Sequence, residues 1–156
     1  MDAIIMPSIT SLATSLRQNY PALTFTASDT FRWSPQERTI FYDTDSPDSA
    51  SLLHELGHAQ LNHTTYTKDI ELIEMERDAW DYAVQSLAVK YNVIVTDDGV
   101  QNALDTYRDW LHARSTCPQC KATGVQTKKN TYRCVTCDTH WRVNDARVCA
   151  LRRYTI

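Results

Sequence analysis

The chain has 156 residues, 42% of them hydrophobic and 22% charged, with a formal net charge of −3. That length suffices for one ordinary domain with a small appendage, and no apolar run approaches the roughly 20 residues that a membrane-spanning helix needs. The opening MDAIIMPSIT lacks both the basic start and the long apolar centre of a secretory signal, so a cytoplasmic location without a membrane partner is expected.

The small net charge hides a division. Residues 1–111 carry 7 Lys and Arg against 17 Asp and Glu, a balance of −10, whereas residues 112–156 carry 9 against 2, a balance of +7. All five cysteines lie in the basic part. The composition therefore predicts two bodies, residues 1–112 and residues 113–156, and paired C-x-x-C spacings in a cytosolic chain point to metal binding rather than disulfides.

Residues 8–19 place Ile9, Leu12, Ala13 and Leu16 at helical spacing, with Ser8 as cap and Pro21 past the end. Leu23–Trp33 and Thr39–Asp43 are rich in Thr, Phe, Trp, Ile and Tyr and flank a turn at Ser34–Glu37, which predicts two short antiparallel strands. A second helix is expected from Ser46 as cap, with Pro47 in its first position and Asp48 in its first turn.

That helix carries LLHELGHAQLNH, Leu52 to His63. Residues four apart share a helix face, so His54 and His58 can hold one metal ion while Glu55 points at the same site, the H-E-x-x-H arrangement of a zinc peptidase. Three protein ligands and an open position for water make such a zinc catalytic, and Glu55 is the candidate base. Gly57 costs about 1 kcal/mol against Ala in mid-helix, which close packing against a neighbour would explain. His63 is turned from the ligand face if the helix continues. If the helix breaks early, His63 can reach the site as an electrophile, a role open equally to Tyr66 and Tyr42.

Ile70–Tyr91 reads as the next helix, and Glu71, Glu74 and Glu76 compete for the third ligand position. Glu71 and Glu74 have charged helical neighbours. Glu76 shares its face with Leu72, Ala79, Trp80 and Ala83, which puts a carboxylate in the stripe that should face the core. A metal ion resolves that cost, as would a buried ion pair with an arginine. Thr96–Arg114 is predicted as a further helix, capped by Thr96 or Asp97.

Cys117, Cys120, Cys134 and Cys137 form C-x2-C-x13-C-x2-C. Two such turns close a tetrahedral site with no open position, the pattern of a structural zinc, and Lys128–Arg133 with His140–Val143 read as the strands of a zinc ribbon. Cys149 is left over as a free thiol. Arg114, Lys121, Lys128, Lys129, Arg133, Arg142, Arg147, Arg152 and Arg153, with Tyr132, Trp141 and Tyr154 among them, make nucleic acid a possible partner of this module.

His54-Glu55-Leu56-Gly57-His58, followed by Glu76, Ala79, Trp80, Tyr82 and Ala83, resembles the ImmA/IrrE family of metallopeptidases, which carry HELGH on one helix and E-x-x-A-x-x-[FY]-A on the next. The resemblance covers about Thr39 to Leu87. It implies His54, His58 and Glu76 as ligands of a catalytic zinc, Glu55 as base, and cleavage of a regulatory protein such as a helix-turn-helix repressor of a phage or mobile element. Many relatives lack the ribbon, and here Lys121 and Asp138 stand where a glycine commonly follows the second cysteine of each knuckle. SprT-like proteases, which act on proteins near DNA, also join HExxH to a zinc ribbon but use a third histidine; His63, His112 and His140 are the downstream candidates, and none is followed by the pattern of that family. A catalytically silent binding module or sensor is the reading from another class. The expected fold is α+β, a zincin-like domain of helices with a small antiparallel sheet followed by a zinc ribbon, with two Zn2+ ions per chain.

Overall fold

The structure, a computed structural model, describes residues 5–145 and 150–156. Arg147 and Cys149 lie outside the described residues. The fold is α+β: four α-helices, a π-helical segment and seven strands among the described residues. No described helix is long and apolar enough to cross a membrane. The chain divides into two compact units, residues 1–64 with 75–100, and residues 65–74 with 101–156.

In the first unit, α1 (Ile9–Asn19) begins where the Ser8 hydroxyl accepts from the Ser11 amide at 3.1 Å, satisfying one of the helix's orphan donors. Its i, i+3, i+4, i+7 positions Ile9, Leu12, Ala13 and Leu16 are all buried. Three strands follow, β1 (Thr24–Ser28), β2 (Arg32–Ser34) and β3 (Thr39–Asp43), in the spatial order β1-β3-β2. The stretch expected to be one strand is therefore two. β2 pairs antiparallel with β3 as a hairpin, but β1 lies on the other side of β3 and runs parallel to it, Thr24 opposite Thr39 and Ser28 opposite Asp43. Asp29 and Thr30 turn the chain between the two.

The motif helix α2 spans Ser49–Gln60, so it begins later than expected. Asp48 is the cap, its carboxylate accepting from the Ser51 amide at 3.1 Å, while the Ser46 hydroxyl is occupied by the Asp48 amide. Leu52, Leu53 and Leu56 are fully buried and join Leu12, Leu16, Ile40 and Leu87 in one core. α3 (Asp69–Tyr82) passes into a π-helical segment, Ala83–Leu87, whose wide turn is closed by the Ala88 amide on the Ala83 carbonyl at 2.8 Å. Its residues from Met75 onward belong to this unit. A Cβ on Gly57 would lie 2.5 Å from the Ala79 carbonyl oxygen, so α2 and α3 approach backbone to backbone there.

The second unit holds the start of α3, most of α4 (Asp97–Ser115) and a four-stranded antiparallel sheet. The Thr96 hydroxyl caps α4 by accepting from the Gly99 amide at 3.0 Å. The strands β4 (Val125–Lys128), β5 (Thr131–Arg133), β6 (His140–Val143) and β7 (Arg153–Thr155) are hydrogen-bonded in chain order. Tyr132, Trp141, Val143, Cys117 and Cys134 form its small core, and the Tyr132 and Trp141 rings stack at 5.6 Å. Arg114 and Asp69, each 2% exposed, form an ion pair at 2.8 Å. The guanidinium also donates to the Asn130 side chain and the Asn144 carbonyl, and Asp69 accepts from the Tyr132 hydroxyl. Every charged atom of this pair thus has partners, which is what makes its burial tolerable.

Candidate metal centres

α2 places His54 and His58 one turn apart on its buried face, with ring centroids 4.6 Å from one another. The Gly57–Ala79 approach brings α3 close enough that Glu76, three residues before Ala79, meets both imidazoles. Its carboxylate lies 2.9 Å from His54 Nε2 and 3.2 Å from His58 Nε2. The competing carboxylates go elsewhere: Glu74 is exposed, and Glu71 accepts from the Thr67 and Lys68 amides at the start of α3. No arginine pairs with Glu76 among the described residues.

The contact between His54 Nε2 and Glu76 Oε2 is close enough for an ion pair, yet neither atom makes a hydrogen bond of acceptable geometry, although both are buried. Two orphaned polar atoms facing each other off-axis fit donors aimed at a common third point. Metal–ligand lengths of about 2.1 Å set ligands roughly 3.4 Å apart in a tetrahedral shell, close to the spacing found here. His54, Glu55 and His58 likewise offer ligand atoms within 4.8 Å of one another. The donor set of neutral imidazole and carboxylate suits a divalent transition ion.

Electrostatics bind this cluster together even without an ion. Burial works against a charged His54, but the Glu55 and Glu76 carboxylates outweigh it and lift the imidazole to about 9. Burial alone would raise Glu76, yet His54 and His58 hold it well below the usual carboxylate range. Glu55 is half-buried, with Oε1 3.4 Å from His54 Nδ1.

The three candidate electrophiles separate. His63 is half-buried and its Nδ1 lies 2.8 Å from His58 Nδ1, because α2 ends at Gln60 and Asn62 adopts a left-handed backbone (φ 54°) that folds the next residue back. Tyr42 is buried, and its hydroxyl accepts from Arg17 Nη2 at 2.9 Å. Tyr66 is half-buried in the second unit. Two residues that the sequence reading assigned no part in the site support it. Trp80 stacks on His54, centroids 4.3 Å apart and rings 10° from parallel, and Trp33 Nε1 donates to the His63 carbonyl at 2.9 Å. Trp80 was legible in principle, standing four residues after Glu76 on the same helical face.

In the second unit the four thiols of Cys117, Cys120, Cys134 and Cys137 gather within 4.8 Å of one another. Cys117 Sγ lies 3.7 Å from Cys137 Sγ and Cys120 Sγ lies 3.5 Å from Cys134 Sγ, near the roughly 3.8 Å edge of a tetrahedron with metal–sulfur bonds of about 2.3 Å. Burial opposes ionisation of Cys117, but the Cys120 and Gln119 amides outweigh it and bring the thiol down to about 6. The Cys137 amide acts first among the groups that lower Cys134. Lys121 (φ 66°) and Asp138 (φ 60°), the residues standing where glycine is common, both adopt the left-handed conformation that glycine favours. The knuckle geometry is thus kept without the glycine. Its turns close through the Lys121 amide on the Cys117 carbonyl and the Asp138 amide on the Cys134 carbonyl, each at 3.0 Å.

Three residues of the expected basic and aromatic surface do not lie on it. Arg114, Tyr132 and Trp141 are buried. Arg133 is held by Asp138 at 2.7 Å, Arg142 lies over the Tyr154 ring, and Arg153 donates to the Thr116 carbonyl. Lys121, Lys128, Lys129, Arg133, Arg142, Arg152 and Arg153 remain exposed. A scan against protein-family models and searches of curated proteins and of solved structures give no match for this chain.

Proposed function

We propose that the chain is a zinc-dependent metallo-endopeptidase, a zincin-like domain followed by a zinc ribbon, acting in the manner of the ImmA/IrrE family it resembles on a transcriptional repressor or another regulatory protein. The observation that carries this reading is the convergence of His54 Nε2 and His58 Nε2 on the Glu76 carboxylate, with Glu55 beside His54. His54, His58 and Glu76 would hold the ion, and Cys117, Cys120, Cys134 and Cys137 a second, structural one. Zinc in a three-ligand site supplies a Lewis acid that polarises a carbonyl and acidifies water.

The protein's own part in the reaction is proton handling and orientation. Glu55 takes the proton of the attacking water and passes it to the leaving amine. Trp80, stacked on His54, keeps that ring from rotating out of the site. A glutamate as third ligand, rather than the histidine of SprT-like proteases, is favoured because His63 Nδ1 faces His58 Nδ1 and His112 and His140 are exposed.

Incubation of the zinc-loaded chain with candidate helix-turn-helix repressors tests the proposal. Glu55→Gln should keep both metal ions and lose cleavage by at least about 100-fold, as expected for removal of a general base. Cleavage at the wild-type rate by Glu55→Gln would dismiss the mechanism, and binding without cleavage by the wild type would favour a silent sensor.

A further inference from the structure

His58 has two ring nitrogens and only one faces Glu76. The other, Nδ1, lies 2.8 Å from Nδ1 of His63. A proton must lie between these two nitrogens, and which one carries it decides what His58 can do. If His63 donates, His58 holds its own proton on Nε2, and that nitrogen is a hydrogen-bond donor toward Glu76 with no lone pair to give. If His63 accepts, His58 is protonated on Nδ1 and its Nε2 lone pair is free for an ion. Ligating histidines ordinarily hand this proton to a carboxylate, a carbonyl or water.

We infer that His63 is the positioning residue of the metal centre: with the ion bound, its Nδ1 accepts the Nδ1–H of His58 and thereby leaves the Nε2 lone pair of His58 free for the ion that it would share with Glu76. This deepens the peptidase reading and rests on it. The chain is built to hold His63 in that place. The His63 amide donates to the carbonyl of His58 itself at 3.0 Å, so the same two residues are joined through backbone and through side chain. Asn62 supplies the left-handed turn that reverses the chain after α2, at φ 54°. On the far side, Trp33 Nε1 donates to the His63 carbonyl at 2.9 Å, anchoring the residue to β2. The rings meet edge to face, centroids 5.1 Å apart and planes 64° from one another, so the contact is directional rather than a stack.

The role calls for an acceptor at the position of Nδ1, and the amide oxygen of asparagine reaches about the same place from the same backbone. The experiment compares wild type, His63→Leu and His63→Asn, measuring affinity for Zn2+ by competition with a chromophoric chelator, with the four-cysteine site of the same chain as internal control. His63→Leu should bind the His54/His58 ion about 10- to 100-fold more weakly, and His63→Asn should recover most of that loss, with the cysteine site unchanged throughout. Equal affinity in wild type and His63→Leu overturns the inference, as does equal weakening in both variants, which would mark a packing role. In zinc-loaded wild type, 15N NMR should show His58 protonated at Nδ1 and ligated through Nε2; ligation through Nδ1 overturns the inference whether or not the variants fold. A wild type that binds one ion only, at its cysteines, removes the peptidase reading along with this one.

Discussion

Glu76 does the most with the least sequence. It is one of three glutamates within six residues, and only its neighbours along the helix distinguish it. Buried beside two imidazoles, it pairs with them in the absence of an ion, and as the proposed third ligand it would hold the ion when one is present. Without metal, His54 sits at about 9, above its ordinary 6.5, so its contribution is fully present below 6.5 and is lost as the pH rises through about 9. Glu76 is depressed from 4.5, so its contribution is present above 4.5 and is lost as the pH falls below that value. The overlap is pH 4.5 to 6.5. In excess chelator, the destabilisation caused by Glu76→Gln should be greatest in that window and shrink toward pH 9. Urea denaturation of both proteins across pH measures it, and a difference that grows with pH would contradict the ion-pair account. The chelator also empties the cysteine site, but equally in the two proteins.

At the scale of elements, the approach of α2 to α3 makes the site, and Gly57 makes the approach. Alanine there gains about 1 kcal/mol in helix propensity, but its Cβ would meet the Ala79 carbonyl at 2.5 Å, and backbone cannot swing aside. Overpacking of this kind costs about 1–3 kcal/mol. Because the clash is with backbone, the upper half of that range applies, and Gly57→Ala should be less stable by about 1–2 kcal/mol in chemical denaturation; a variant about 1 kcal/mol more stable than wild type would show that the helices can part without cost. Such close packing was legible in the sequence because a glycine in a helix of otherwise good formers asks for a reason. The four buried positions of α1 and its Ser8 cap were legible for a similar reason, since periodicity and capping chemistry agree there. The start of α2 was not. Ser46 and Asp48 both satisfy capping rules, Pro47 favours the earlier start, and only the structure shows Ser46 spent on the Asp48 amide. The direction of β1 was hidden too, because a period of two says which face a residue takes and nothing about which way its neighbour runs. For the π-helical turn at Ala83–Leu87 the residues offer no physical reason.

At the scale of the whole molecule, composition and contacts divide the chain differently. Charge changes sign near residue 112, yet the second compact unit also takes in residues 65–74 and 101–112. Asp69 and Arg114 explain this. They are 45 positions apart in the chain, and burying either without the other would leave an uncompensated charge, so the segments bearing them enter one core. A charge tally could not foresee it, because it counts Arg114 as surface. The four-cysteine cluster was by contrast fully legible, since ligand spacing is local and the module's core is too small to need distant partners other than this pair.

Two separate metal centres are proposed for the chain, one open and built on His54, His58 and Glu76, the other closed by four thiolates. Elemental analysis of wild type and His54→Ala, purified without added metal, tests this most directly. About two zinc ions per chain are expected in the wild type and about one in the variant, since the cysteine site needs nothing from α2. Equal metal content in the two proteins would contradict it, leaving the HELGH helix without an ion and the peptidase mechanism without its centre.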